Sequence, residues 1–359
     1  MVRIRKNSHG YRKWKTRINA KNLKKRTKRK NRSSSHSLGQ SSKFHRTAAR
    51  TSTQAQFPTP KHYSAPQKFS IFENAEPTLS YFGDIVKFLK SRKDKVTHIR
   101  INIKAVTSVS IDSIIYLLAI MRNAEHKKSL LIDGNFPDSN LVTQHIVDSG
   151  FLKYVNLKIT LSQKVSSDCF QITTGTKTEP ILAGEVCDYC FQKLSITEKD
   201  CKFLHPMLVE LMTNTNNHAY KKSGPLVNFK EWYLFVENAK DHLAFVFLDT
   251  GSGIPNTVAK KLSEHILNYV KGNTDSDYIY SVLKGEFRSA TKKPNRGNGL
   301  PDIYNRCTEG YIQNLKIISG NGFFAHNGDN DIVTELNCDA LEGTLFYWEV
   351  SKSQFRKVI

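Results

Sequence analysis

The sequence predicts an α/β protein, with two α/β globular pieces behind a basic N-terminal arm. Three observations predict it. Strand and helix patterns alternate between His98 and Ser149. Apolar strands ending in glycine-bearing loops recur between Leu243 and Val350. The positive charge is confined to one end: residues 1–50 hold 18 of the 54 Lys+Arg and no acid, so the rest carries 36 against 32 Asp+Glu, near neutrality. A length of 359 residues with 39% hydrophobic residues fits about two globular domains and excludes a collagen-like, wholly disordered or disulfide-miniprotein class. No apolar run spans a bilayer, since the best, Ile111 to Met121, is short and contains Asp112. The N-terminus shows no apolar signal region, and the six cysteines are sparse, so a cytoplasmic chain with reduced thiols is expected.

Residues 1–67 read as a disordered basic tail and linker. Lys21 to Arg32 is KNLKKRTKRKNR, and a Ser/Thr/Gln/Pro-rich stretch follows with little apolar surface to offset the cost of ordering. Polybasic runs bind phosphate backbones through counterion release, and Tyr11 and Trp14 supply rings that can stack on bases. The alternative is a localisation tail without a ligand of its own. Lysine clusters without a regular apolar face argue against an organellar transit peptide.

In the first piece, residues 68–165, Ile99, Ile101 and Ile103 alternate with Arg100, Asn102 and Lys104, as in a strand with one buried face. Ile111, Ile114, Ile115, Leu118 and Met121 then share a helical face behind a Ser110 cap. Ser129 to Ile132 is a short buried strand, and Ser139 to Ser149 a second helix stopped by Gly150. The strand ending at Val106, the Asp112-Ser113 helix start and DSGFLKYV at Asp148 to Val155 resemble a STAS domain, the fold of anti-sigma-factor antagonists. The resemblance implies a phosphoacceptor at Ser113. However, Ile114 and Ile115 replace the small residues and glycine usual there, and the plainer reading is a first-turn helix residue.

In the second piece, residues 180–359, Glu210, Asn214 and His218 are spaced i, i+4, i+8, a helical stripe drifting about 40° per step. A carboxylate there can take a proton. An amide oxygen four residues on can ligate Mg²⁺. Leu243 to Leu248 is an apolar strand ending in Asp249-Thr-Gly-Ser-Gly-Ile254-Pro255. Gly251 and Gly253 permit a tight backbone, and Asp249 can accept the amino group of adenine. Arg296-Gly297-Asn298-Gly299-Leu300-Pro301 then opens an apolar helix, so that free N–H groups face an anion, with Lys292 and Lys293 just before. Gly343-Thr344 begins the strand Leu345 to Val350, after a Gly320-Asn321-Gly322 hairpin turn.

In this order, the elements from Leu204 to Val350 resemble the GHKL (Bergerat) ATPases, and ELMTNTNNHA is nearest the anti-sigma-factor serine kinases. The resemblance implies ATP and Mg as ligands, with Glu210 as general base and Asn214 on Mg. It implies nucleotide contacts from His218, Asp249, Gly251, Gly253, Ile254, Lys292, Lys293, Arg296, Gly297, Asn298, Gly299, Leu300 and Thr344. It also implies a lid over residues 258–295 and a mixed, mostly antiparallel sheet with helices on one face. Paired dimerisation helices and a phosphoacceptor His motif are not visible, and nine residues follow Val350, which argues against a sensor kinase and against a chaperone or repair clamp. Cys187, Cys190, Cys201 and His205 offer zinc ligands at irregular spacing, against the default of buried thiols.

The expected architecture is therefore a basic arm, a small STAS-like domain and a GHKL-type α/β sandwich. The expected function is a Mg-ATP-dependent regulatory switch that hydrolyses ATP or phosphorylates Ser/Thr on a regulatory protein partner. The alternative is a nucleic-acid-associated scaffold, contacting nucleic acid through residues 1–50, that uses ATP only to fix a conformation. On this reading, deleting residues 1–50 leaves folding and nucleotide binding intact and sharply lowers affinity for DNA or RNA. A salt titration by fluorescence anisotropy, comparing the full and truncated chains, checks it. Equal affinities would move polyanion binding onto the folded pieces.

Overall fold

In the computed structural model, which describes residues 59–91, 97–125, 130–155, 168–196, 203–218, 231–259, 274–286 and 299–352, helices and strands intermix as an α/β fold requires. The first piece runs β1 (Lys61–Ser64), β2 (Lys68–Phe69), α1 (Ala75–Ser91), β3 (Thr97–Asn102), β4 (Ser108–Val109), α2 (Ile111–Glu125), β5 (Leu130–Gly134) and α3 (Asn140–Asp148). Strands β1, β3 and β5 form a parallel sheet in that order, and β2 pairs with β4. The isoleucine alternation becomes β3 and its exit, with Ile99, Ile101 and Ile103 buried. Ser139 caps α3 by accepting from the Val142 N–H at 3.4 Å, and Gly150 follows the helix at φ +80°, the left-handed region that glycine enters at least cost.

Strand β1 corrects the tail boundary, because residues 61–64 fall inside the segment expected to be disordered. Only Tyr63 of β1 is buried, so composition alone marks it as linker. It is held by backbone pairing to residues 99–102 of β3, a partner that local composition cannot reveal. Helix α1 is a further addition to the elements read from sequence; its Leu79, Phe82, Ile85, Val86 and Leu89 repeat at helical spacing and are buried.

Helix α2 is buried all round rather than along one face: residues 111–120 are all sequestered. Asp112 anchors its start. The carboxylate accepts from Ile71 N–H and the Ser113 and Ser110 hydroxyls at 2.9 Å each, from Ser70 Oγ at 3.3 Å and from Phe72 N–H at 3.5 Å. Burial raises the Asp112 pKa, and these hydrogen bonds oppose the rise. Ser113 is 0% exposed, its hydroxyl spent on Asp112, so it is a structural first-turn residue in this conformation.

The second piece comprises β6 (Cys169–Gly175), α4 (Pro180–Leu194), α5 (Leu204–His218), β7 (Trp232–Ala239), β8 (His242–Asp249), α6 (Ile254–Ala259), α7 (Asp275–Leu283), α8 (Gly299–Thr308), β9 (Gln313–Gly320), β10 (Gly322–His326), β11 (Asp331–Glu335) and β12 (Leu341–Ser351). Its strands form one seven-stranded sheet, order β11-β10-β9-β12-β8-β7-β6, antiparallel at every pairing rather than mixed. Trp232, Leu234, Val236, Phe245, Phe247 and Trp348 point to a core shared with α4, α5, α7 and α8. The alternate residues Tyr233, Phe235, Val246, Leu248 and Leu345 point to a second core shared with α1, α2 and β3. Helices thus cover both faces rather than one, and residues 57–359 are one compact unit. The physical reason is strand composition: WYLFV and LAFVFL are apolar at both parities.

Helix α7 lies within the span expected to be a lid. Instead it starts with a Thr274–Asp277 capping box and buries Ile279 and Leu283 in the core, so residues 275–283 are a packed helix, not a mobile cover.

Removing the Asp112 carboxylate strands several buried donors, each costing about 1–3 kcal/mol. Asp112→Ala is expected to lose about 3 kcal/mol or more in urea unfolding, with a native fold retained.

Candidate functional site

The site is built where three strands of the sheet end. Asp249, the last residue of β8, lies opposite Trp232 of β7 on one side and Thr344 of β12 on the other. Its Oδ1 accepts from the Gly251 N–H at 2.7 Å. The carboxylate is only half-buried by surface area, yet it is ringed by protein atoms. Burial pushes its pKa up to about 6, against the opposing Gly251 hydrogen bond. Among the described residues, Oδ2 of this recessed acceptor has no hydrogen-bond donor.

Two glycines let the backbone close around it. Gly253 sits at φ +79° and Gly343 at φ +107°, and a Cβ on Gly343 would overlap the Asp249 carbonyl. Glu342 and Gly343 form a bulge, since Leu341 pairs with Gly320 while Thr344 already pairs with Ser319. Ser319 ties the parts together. Its buried Oγ accepts from Ile254 N–H at 2.9 Å, donates to the Gly343 carbonyl at 2.8 Å and lies 3.1 Å from Thr344 Oγ1. Sequence reasoning missed Ser319. The available signal was a hydroxyl ending the apolar run Leu315–Ile318 just before Gly320.

A second group joins α5 to the start of α8. Asn214 hydrogen-bonds the half-buried Glu210 carboxylate, as the i, i+4 spacing predicts. Burial raises the Glu210 pKa, Asp302 in the first turn of α8 adds to the rise, and Asn214 opposes it. Gly299 opens α8 directly against Glu210, and any Cβ there would overlap the Glu210 side chain. Glycine is needed at 299 for this approach as well as for an open helix start. Because Asn214 donates through its amide nitrogen, its oxygen is left for a cation. A single amide oxygen can serve a Mg²⁺ ion that keeps most of its waters, and a carboxylate oxygen such as that of Asp249 can accept from an amino group.

Asp249, Gly251, Gly253, Ile254 and Thr344 thus come together, and Glu210, Asn214 and Gly299 form a second group. Leu300 packs at the edge of the helix-side core. Lys292, Lys293, Arg296, Gly297 and Asn298 lie outside the described residues, as does the side chain of His218, which ends α5. Of the four residues weighed as zinc ligands, Cys201 lies outside the described residues. Cys187 and Cys190 pack into the helix-side core, with burial pushing the Cys187 thiol up to about 11, and His205 Nε2 lies 3.0 Å from the Pro180 carbonyl. A separate open groove of about 750 Å³ lies between β1 and α1, lined by Lys61, Tyr81 and Lys87 among others, and takes no part in this arrangement. Among the described residues, no helix is long and apolar enough to cross a membrane. The chain matches no family model and no curated protein.

On the reading that Asp249 accepts from an adenine ligand, its raised pKa of about 6 makes that binding pH-dependent. The raised pKa means Asp249 is ionised above about 6 and neutral below it. A charge-assisted hydrogen bond to an adenine ligand weakens when the charge is lost. Affinity for ATP is expected to fall several-fold between pH 7.5 and 5.5. Asp249→Asn is expected to bind about 10- to 100-fold more weakly and to lose that part of the pH dependence. Calorimetric titrations of both proteins across this range check it.

Proposed function

We propose that this chain is a Mg-ATP-binding regulatory protein of the GHKL type that hydrolyses ATP or transfers its terminal phosphoryl group to Ser/Thr on a protein partner, under the influence of its STAS-like piece. The observation that carries the reading is the recessed Asp249 carboxylate, with one oxygen held by Gly251 and the other without a donor among the described residues, at a strand end beside Thr344. That arrangement suits the edge of adenine, whose amino group can donate to Asp249, while Gly253 lets the loop pack closely on Ser319 and Gly343.

The chemistry is read from α5. A Glu210 with a raised pKa is a stronger base than an ordinary surface carboxylate, closer to the range where proton transfer near neutrality is efficient. Glu210 lies against Gly299 at the start of α8, so a phosphate bound by the N–H groups of that helix start would lie beside the base on this reading. Asn214, bonded to Glu210, is the candidate Mg²⁺ ligand.

The phosphoacceptor on this reading is water or a partner rather than Ser113. That serine is buried on α2, which packs on one face of the sheet, whereas α5 with Glu210 packs on the other. The second reading, a nucleic-acid-associated scaffold, is favoured by one observation, the 18 cations without an anion in residues 1–50.

Incubation with γ-labelled ATP and Mg²⁺ separates the outcomes. Free phosphate indicates hydrolysis, label on an added partner indicates a kinase, and bound but unconsumed ATP favours the scaffold. Glu210→Ala is expected to keep ATP binding and lose turnover by about 10²–10⁴-fold. Asn214→Ala is expected to weaken binding only when Mg²⁺ is present. Parental turnover by Glu210→Ala would overturn the assignment of the base.

A further inference from the structure

We propose that helix α2 positions the nucleotide site from the opposite face of the sheet, through Tyr116 and Arg122. The proposal rests on the ATP-binding reading and deepens it, by naming the residues through which the first piece acts on nucleotide affinity.

Helix α2 touches a residue on each flank of Asp249, the Glu231 side chain on one and the Glu342 backbone on the other. On one flank, Arg122 makes a two-pronged ion pair with Glu231, Nε to Oε2 at 3.0 Å and Nη2 to Oε1 at 2.6 Å. The Glu231 side chain is 8% exposed and also accepts from Tyr233 Oη at 2.6 Å, while the Arg122 guanidinium lies 5.5 Å from the Tyr154 ring centroid. Glu231 is in turn bound to the residue next to Asp249: its carbonyl accepts from both the N–H and the hydroxyl of Thr250, at 3.1 Å each. On the other flank, the Tyr116 hydroxyl, on a side chain from a residue 2% exposed, accepts from Glu342 N–H at 3.0 Å. Glu342 begins the bulge whose next residues are Gly343, packed on the Asp249 carbonyl, and Thr344, paired with Asp249.

The spacing suits this role. Six helical residues rise about 9 Å. Strands two apart, as β7 and β12 are on either side of β8, lie about 9.6 Å apart. One helix therefore reaches both neighbours of the strand that carries Asp249. Each contact meets a residue tied to the site: Arg122 holds the side chain of Glu231, whose carbonyl binds Thr250, and Tyr116 holds the N–H of Glu342, in the bulge whose Gly343 carbonyl accepts from Ser319. Tyr154 links the DSGFLKYV segment to the same grip, so a displacement of either α2 or that segment reaches residues 249–250.

Coupling of this kind is reciprocal: a change at α2 alters nucleotide affinity, and nucleotide alters the energy of moving α2. Tyr116 and Arg122 are positioning residues, since neither touches the proposed ligand position, and the test must separate positioning from simple stability. Calorimetric titration of Mg-ATP into the full chain, Tyr116→Phe and Arg122→Lys does so, because it reads affinity and binding stoichiometry independently. Both variants are expected to bind with parental stoichiometry and an affinity weaker by about 5-fold or more. Parental affinity in folded variants would overturn the proposal. So would reduced stoichiometry at parental affinity, the mark of a merely structural role. Tyr116→Phe removes a single oxygen from a buried ring, so it decides the matter if Arg122→Lys fails to fold. Absence of ATP binding by the parent would instead overturn the ATP-binding reading itself.

Discussion

Burial of the central sheet on both faces is the constraint on which the rest of the molecule depends. Strands β7, β8 and β12 send alternate side chains into two different cores, one with α4, α5, α7 and α8, the other with the first piece. Each large side chain so buried is worth about 1.5–3 kcal/mol relative to exposure. A one-residue slip of register would exchange the two sets, placing Trp232, Phe245 and Trp348 where Tyr233, Val246 and Leu345 now fit. Register is therefore strongly determined. The alignment of Asp249 with Trp232 and Thr344 follows from packing several residues away, not from any feature of the loop that contains it.

The same burial explains why carboxylates in this protein behave differently from one another. Asp112 is enclosed and saturated with hydrogen bonds, so it serves the fold. Glu231 is enclosed and held by Arg122 and Tyr233, so its charge is fully committed. Asp249 is recessed with one oxygen lacking a donor among the described residues, and Glu210 is half-buried beside a second acid with one amide partner. Desolvation raises the pKa of Asp112, Asp249 and Glu210 alike. The degree of satisfaction, rather than depth, separates structural acids from those with capacity left for a ligand.

A sheet covered on both sides also makes the two pieces mechanically continuous. Helix α2 is at once the buried centre of the first piece and a layer of the second, with Leu248, Ile318 and Leu345 of the large sheet in the same core as Ile114, Ile115 and Leu118. In a protein interior packed as closely as an organic crystal, displacement of such an element is transmitted rather than absorbed.

Much of this was legible in the sequence. The period-two isoleucines of β3, the apolar run of β8, the glycine turn between β9 and β10 and the i, i+4 pair of Glu210 and Asn214 are local patterns, and local patterns determine local structure. Strand β1 was not legible, because one buried tyrosine says nothing until β3 supplies its hydrogen bonds. The helix-side role of Gly299 was half legible: the glycine was visible, but its contact with Glu210 joins residues 89 positions apart. The same holds for Ser319 with Ile254 and Gly343, and for Arg122 with Glu231. The sequence by itself determined the chemistry available, which acids, amides and glycines stand at which element ends. Only the tertiary structure decided which of them meet and how far each is desolvated, because those depend on contacts across the sheet that no local spacing encodes.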